Sequence, residues 1–142
     1  MKTSLLLRIS AILLFLHDVG HTFGALNWKH ATDATMAGII AAMQNNHFIF
    51  MGRSATIAAF YDGYGIIMIF VLLLLSVLLW MLAGDTGNAQ TKKLLVPLTG
   101  FLGIMAVLEY IYFFPFAALF TALAGLLAFF ALLGLMNSRV AA

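Results

Sequence analysis

The chain has 142 residues; 64% are apolar, only 8% are charged, and the formal net charge at pH 7 is +2. A soluble domain carries about 25% charge, and a globule of this size must show water a polar skin that these residues cannot supply, so a soluble enzyme and a disordered chain are excluded. Seven scattered cations form no basic patch for nucleic acid, and the lack of cysteine removes disulfides, thiol redox chemistry and Cys-ligated metals.

A membrane-spanning helix needs about 20 mostly apolar residues. The first such run covers residues 4–26. It opens like a signal peptide, with a cation, an apolar run and small residues at Gly24-Ala25. His17 and Asp18 interrupt the apolar run, however, so the sequence predicts a retained helix. Gly20 and Gly24 stand four apart, a spacing that lets another helix approach closely.

Residues 27–54 make the only sizeable connection. Asp33 can cap a helix there, Met36, Ile39, Ile40, Met43 and His47 share one helical face, and Gly52 can stop it. The pattern predicts an amphipathic helix over about 33–50, either lying on the membrane surface or folding back as a lid over a cavity. A second span follows at 55–82, with a polar opening, Tyr61-Asp62-Gly63-Tyr64-Gly65. Gly84 to Gln90 reads as a polar turn. The third span is 94–113 and the fourth 116–136. Pro115 cannot continue the third helix and suits the first turn of the next, so these two form a tight hairpin. No repeat or second domain is visible. The expectation is an all-α integral membrane four-helix bundle, a single transmembrane domain over 1–142, with the amphipathic helix in its first extracytoplasmic loop.

Orientation follows the cations. With the N-terminus inside, Lys2, Arg8, Lys92, Lys93 and Arg139 lie on the inner side, against Lys29 and Arg53 outside. Both termini are therefore expected in the cytoplasm. Trp80 and Trp28 suit the two interfacial belts, and Arg8 can snorkel to the headgroups.

Five ionisable residues fall inside the spans: His17, Asp18, His21, Asp62 and Glu109. Each costs at least about 2.5–3.5 kcal/mol on insertion scales and by default faces the bundle interior. A rise of 1.5 Å per residue puts His17 about 18 Å and His21 about 24 Å into the first span, Asp62 roughly 10 Å below the outer surface, and Glu109 roughly 22 Å up the third span. In a core about 30 Å thick, all five fall in the outer half. His17, His21 and Gly24 share one stripe, Asp18 lies three residues from His21, and Tyr110 and Tyr112 flank Glu109.

Four readings of this cluster stay open. The residues can hydrogen-bond across helices and fix the packing. They can form an acid–base site for a lipophilic molecule, because removal from water disfavours the charged form of carboxyl and imidazole alike and lets them trade a proton near neutral pH. His17 and His21 with a carboxylate can resemble a two-His-one-carboxylate metal site, although the spacing alone is a weak signal. A proton-coupled small-solute transporter is the fourth, against which the inner halves of the helices are almost purely apolar.

Leu16-His17-Asp18-Val19-Gly20-His21-Thr22, Arg53-Ser54, Phe60-Tyr61-x-Gly63-x-Gly65, Leu78-Leu79-Trp80, and Tyr112-Phe113-Phe114 ahead of Pro115 resemble a family of small, uncharacterised bacterial four-helix membrane proteins. In architecture alone the chain is similar to DoxX-like, anthrone-oxygenase-like and sterol-isomerase-like proteins, and architecture does not give function. The resemblance implies a bacterial cytoplasmic (inner) membrane location. Its Gly-His-Thr element matches Gly20-His21-Thr22 and points to His21 ahead of His17. The family's usual aspartate before Phe-Tyr is Ala59 here, with Asp62 following instead.

The functional expectation is a pocket in the outer half that binds, and converts by acid–base chemistry, a lipophilic small molecule. His21 and Glu109 are its proton-transfer partners, Asp18 orients His21, and Asp62 is a second acid. His17, Arg53, Tyr61, Tyr64, Tyr110 and Tyr112 face the ligand, and Arg53 either anchors to headgroups or pairs with an acid. No metal and no cofactor is expected. The partners are membrane lipid or the lipophilic molecule itself, and the apolar helix faces allow a homo-oligomer. The runner-up is a structural or self-assembling membrane scaffold that uses the cluster for packing only.

Overall fold

Each long apolar run becomes a helix because lipid offers no partner for backbone N–H and C=O groups. In the computed structural model, which describes residues 2–137, these helices are α1 (Thr3–Asn27), α3 (Ile57–Gly84), α4 (Ala89–Tyr112) and α5 (Pro115–Asn137). They contain 25, 28, 24 and 23 residues and are long and apolar enough to cross a membrane. The chain is an all-α, multi-pass membrane protein. Arg139, one of the cations used for orientation, lies outside the described residues.

Local signals set the ends. The Asn88 side chain accepts from the Gln90 amide at 2.9 Å and caps α4, and the Thr56 hydroxyl accepts from the Ala59 amide at 3.1 Å at the start of α3. Such caps satisfy amides that have no partner within the helix. Pro115 occupies the first position of α5, as its missing N–H allows, so only Phe113 and Phe114 separate α5 from α4.

The connection after α1 departs from expectation. The helix capped by Asp33, whose carboxylate accepts from the Met36 amide at 2.8 Å, is α2 (Ala34–Asn45), and it stops short of residue 50. Asn46 closes it, its amide and side chain both donating to the Ala42 carbonyl. Residues 48–55 instead form an antiparallel hairpin of β1 (Phe48–Phe50) and β2 (Arg53–Ala55), with Phe50 opposite Arg53. Aromatic and β-branched residues favour a strand there. Met51 and Gly52 both take positive φ, 50° and 81°, the geometry of a tight two-residue hairpin turn. Gly52 is therefore a turn residue rather than a helix stop. His47 lies beyond α2, and of its predicted apolar face only Ile40 is buried.

The contacts divide the chain into two units, one of residues up to Asp18 and from Leu72 onward, the other Val19–Val71. In the first, the beginning of α1 and the end of α3 join α4 and α5 in a four-helix bundle. Serines stitch it together: Ser4 donates to the Ala83 carbonyl (2.6 Å), Ser10 to Ala124 (2.7 Å) and Ser76 to Ala11 (2.9 Å). The buried stripe of α5 is made of small residues, Ala117, Ala118, Thr121, Ala124, Gly125, Ala128 and Ala131, with Leu132. Small residues allow helices in lipid to approach closely, where dispersion contacts replace the missing hydrophobic drive. A Cβ built on Gly125 would lie 3.3 Å from that of Leu102 on α4. Arg8 rests over the Trp80 ring, 5.6 Å from its centroid.

The second unit holds the end of α1, α2, the hairpin and the start of α3. Here the crowded glycine is Gly65, where an added Cβ would meet Ala25 at 3.2 Å. Nothing lies within 4 Å of a Cβ built on Gly20 or Gly24. The Phe60 ring of α3 meets both Phe48 (6.0 Å between centroids, stacked) and Phe50 (5.5 Å, edge-on), which docks the hairpin on α3.

Candidate functional site

In the four-helix unit, buried positions of α1 recur as Leu7, Ser10, Leu14 and His17, a stripe facing the interior. The same periodicity on α4 ends at Leu102, Met105 and Glu109. Together with the small-residue stripe of α5, this turns three polar side chains inward. His17 is 8% exposed, Glu109 7%, and Thr121 fully buried. The His17 Nδ1 lies 2.9 Å from the Thr121 hydroxyl, and its Nε2 lies 3.8 Å from Oε1 of Glu109. One imidazole thus joins α1, α4 and α5.

Either tautomer fits the hydroxyl. With hydrogen on Nε2, Thr121 donates to Nδ1 and the ring N–H points toward Glu109; with hydrogen on Nδ1, the ring donates to Thr121. The other carboxyl oxygen of Glu109, Oε2, is buried and accepts no hydrogen bond among the described residues. A buried polar atom of this kind costs free energy unless something satisfies it. Asp18, next along α1, is 6% exposed in the same unit.

Just outside this cluster, an apolar groove of about 370 Å³ runs between α4 and α5, lined by Ala106, Tyr110, Pro115, Ala118 and Ala122 among others. Ala106 precedes Glu109 by one turn, and Ala118 precedes Thr121 by one turn. Tyr112 and Tyr110 are exposed.

The second unit organises its polar residues separately. Its half-buried His21 donates from Nε2 to the Gly65 carbonyl at 3.1 Å. Both oxygens of Asp62 are engaged: Oδ1 accepts from the Trp28 indole at 2.8 Å, and Oδ2 accepts from Lys29 at 2.7 Å. Lys29 lies 5.5 Å from the Trp28 ring, which packs against Tyr61 at 4.7 Å. The acid's cationic partner is thus Lys29, a role the sequence reading offered only to Arg53. Arg53 itself is exposed on β2, and Tyr64 is exposed on α3. Among the described residues, no three His, Asp or Glu side chains stand close enough to hold a metal ion.

Sequence reasoning missed Thr121, Trp28 and Lys29 as partners. Thr121 carried a signal, since it is a hydroxyl alone in the apolar run 115–136, and hydroxyls in such runs commonly bond across helices. No known family model matches the chain, and neither a curated protein nor a solved structure does.

Proposed function

We propose that this membrane protein binds a lipophilic small molecule at the His17–Thr121–Glu109 cluster and exchanges a proton with it. The observation that carries this reading is Oε2 of Glu109, buried and without a hydrogen-bond partner among the described residues, on the carboxyl that faces His17. A ligand hydroxyl there would donate to that oxygen, and a ligand carbonyl would accept from it when Glu109 is protonated. The proton would then pass between the ligand and the Glu109 carboxyl, with the His17 ring taking up or returning it through Nε2 and Thr121 holding the ring by Nδ1. Neither charged form is well solvated in a dry interior, so proton exchange between two neutralisable groups suits the place better than a permanent ion pair. The groove one turn from Glu109 and Thr121 would take the apolar part of the molecule.

His17 takes the role that the sequence reading gave His21, because His17 is the imidazole facing Glu109. Asp18, Tyr110 and Tyr112 belong to the same unit as this cluster.

The resemblance to small bacterial four-helix membrane proteins belongs to this reading, as do the bacterial inner membrane, association with further copies, and cytoplasmic termini. Lys2, Arg8, Lys92 and Lys93 outnumber Lys29 and Arg53, and Lys29 is already neutralised by Asp62.

Native mass spectrometry of the protein released from nanodiscs tests the proposal. The wild type should retain a lipophilic adduct that Glu109→Gln and His17→Leu lose, with melting temperatures unchanged in Glu109→Gln. Identical spectra would favour a scaffold in which the cluster only packs helices. That second reading draws on the three serine-to-carbonyl bonds, which show hydroxyls in this unit used for packing.

A further inference from the structure

The hairpin between α2 and α3 ends in side chains that water does not favour. Met51, at its tip, is 90% exposed, Ile49 76% and Phe50 52%. Met51 also holds a φ of 50°, a conformation that residues with a side chain seldom adopt and that turns normally give to Gly, Asn or Asp. An apolar residue kept at a strained, solvent-facing tip calls for something apolar to receive it.

The level of the hairpin is fixed by what it docks on. Phe48 and Phe50 sit on Phe60, and Ile49, between them in the strand, points to the opposite face. Phe60 belongs to the first turn of α3, beside Tyr61, Asp62 and Tyr64, with Trp28 and Lys29 bound to Asp62. Aromatic residues with polar tips and paired charges mark the headgroup layer, and the unbroken apolar run of α3 starts only at Ile66. The end of α1 and the start of α3 share one membrane face, because the 12-residue α2 and two three-residue strands are too short to cross. Between Ala34 and Asn45, α2 carries no charge, and Met36 and Ile39 are exposed on it. Arg53, opposite Phe50, puts a cation next to the tip, where lipid phosphates lie.

We propose that the hairpin is a membrane-inserting element: Ile49 and Met51 enter the upper acyl region of the phospholipid leaflet while Arg53 remains among its phosphates. The occupant of this apolar surface is lipid, and α2 lies along the same boundary.

The chain has no cysteine, so single cysteines introduced into it can carry a nitroxide without background. The full-length protein would be reconstituted in phosphatidylethanolamine–phosphatidylglycerol vesicles and labelled, in separate samples, at Met51→Cys and Ile49→Cys. Leu74→Cys, exposed in the middle of α3, gives the lipid reference, and Gly87→Cys, in the loop before α4, the aqueous one. Power saturation should show positions 49 and 51 several-fold more accessible to oxygen relative to a water-soluble nickel chelate than position 87, approaching position 74. Ile49→Cys lies outside the strained turn and reports even if Met51→Cys disturbs it. Values at both positions matching Gly87 overturn the proposal. So does spectral broadening at position 51 that disappears on dilution with unlabelled protein, because a second copy would then cover the tip.

Discussion

His17 presents opposite edges of one imidazole to two helices, Nδ1 to Thr121 on α5 and Nε2 toward Glu109 on α4. Removing the ring takes a polar neighbour away from the buried carboxyl. His17→Leu should therefore destabilise the protein by about 1–3 kcal/mol, the usual cost of stranding a buried polar group. The double variant His17→Leu/Glu109→Leu should recover much of that loss, as apolar replacement of a whole buried pair commonly does. SDS titration from mixed micelles measures both; strictly additive losses would mean that the two side chains do not interact. Thr121→Val, nearly the same shape, should cost only about 0.6 kcal/mol, the average for one interhelical hydrogen bond in a membrane protein.

Enlarging Gly125 should pry α4 from α5. Its missing Cβ would sit 3.3 Å from the Leu102 Cβ and 3.8 Å from the Gly103 nitrogen. Gly125→Val is expected to cost about 1–3 kcal/mol, as overpacking does. Gly100→Val, at a position with nothing within 4 Å, serves as the control and should be near neutral in the same titration.

The Asp62–Lys29 pair is partly exposed, at 36% and 45% of the side chains. It should contribute no more than about 1 kcal/mol, less at high salt. Its clearer signature is optical, since Asp62 accepts from the Trp28 indole. In a Trp80→Phe background, Asp62→Ala should shift or quench Trp28 emission, and Asp62→Asn should preserve more of the original spectrum. An unchanged spectrum for Asp62→Ala would rule out the indole contact.

Helix α2 should loosen in acid. The Met36 amide, donating to Asp33, holds that carboxyl below the ordinary aspartate range. Between the folded value and the unfolded one, about 3.9, the unfolded chain binds more protons. The cap's contribution is therefore complete above the unfolded value and is lost as pH falls through the lower folded value. Amide exchange in the first turn of α2 should accelerate over that acidic window in the wild type but not in Asp33→Asn, whose side chain still caps without titrating.

Length and hydropathy made the four spans legible, and within a few residues, because lipid forces every long apolar run to close its own hydrogen bonds. The Asp33 cap and the break at Pro115 were readable for equally local reasons. The hairpin was not. Its strands have three residues each, and its turn is Met51-Gly52 rather than Asn-Gly or Asp-Gly, so neither strand periodicity nor turn chemistry announced it. In the candidate site, sequence marked Glu109 and His17 as costly residues for a membrane interior. Their facing one another depends on how the helices rotate about their axes, and that is set largely by the small-residue stripe of α5. Spacing within one helix carries no information on it.

That stripe has a practical corollary. Five of its positions are already alanine, so alanine scanning, the routine search for important residues, returns the wild type at each of them. Methyl groups also have no rotamers to freeze, and the seam closes without surrendering side-chain freedom. Here the residues that matter for assembly are those with the least to remove, and only added bulk will reveal them.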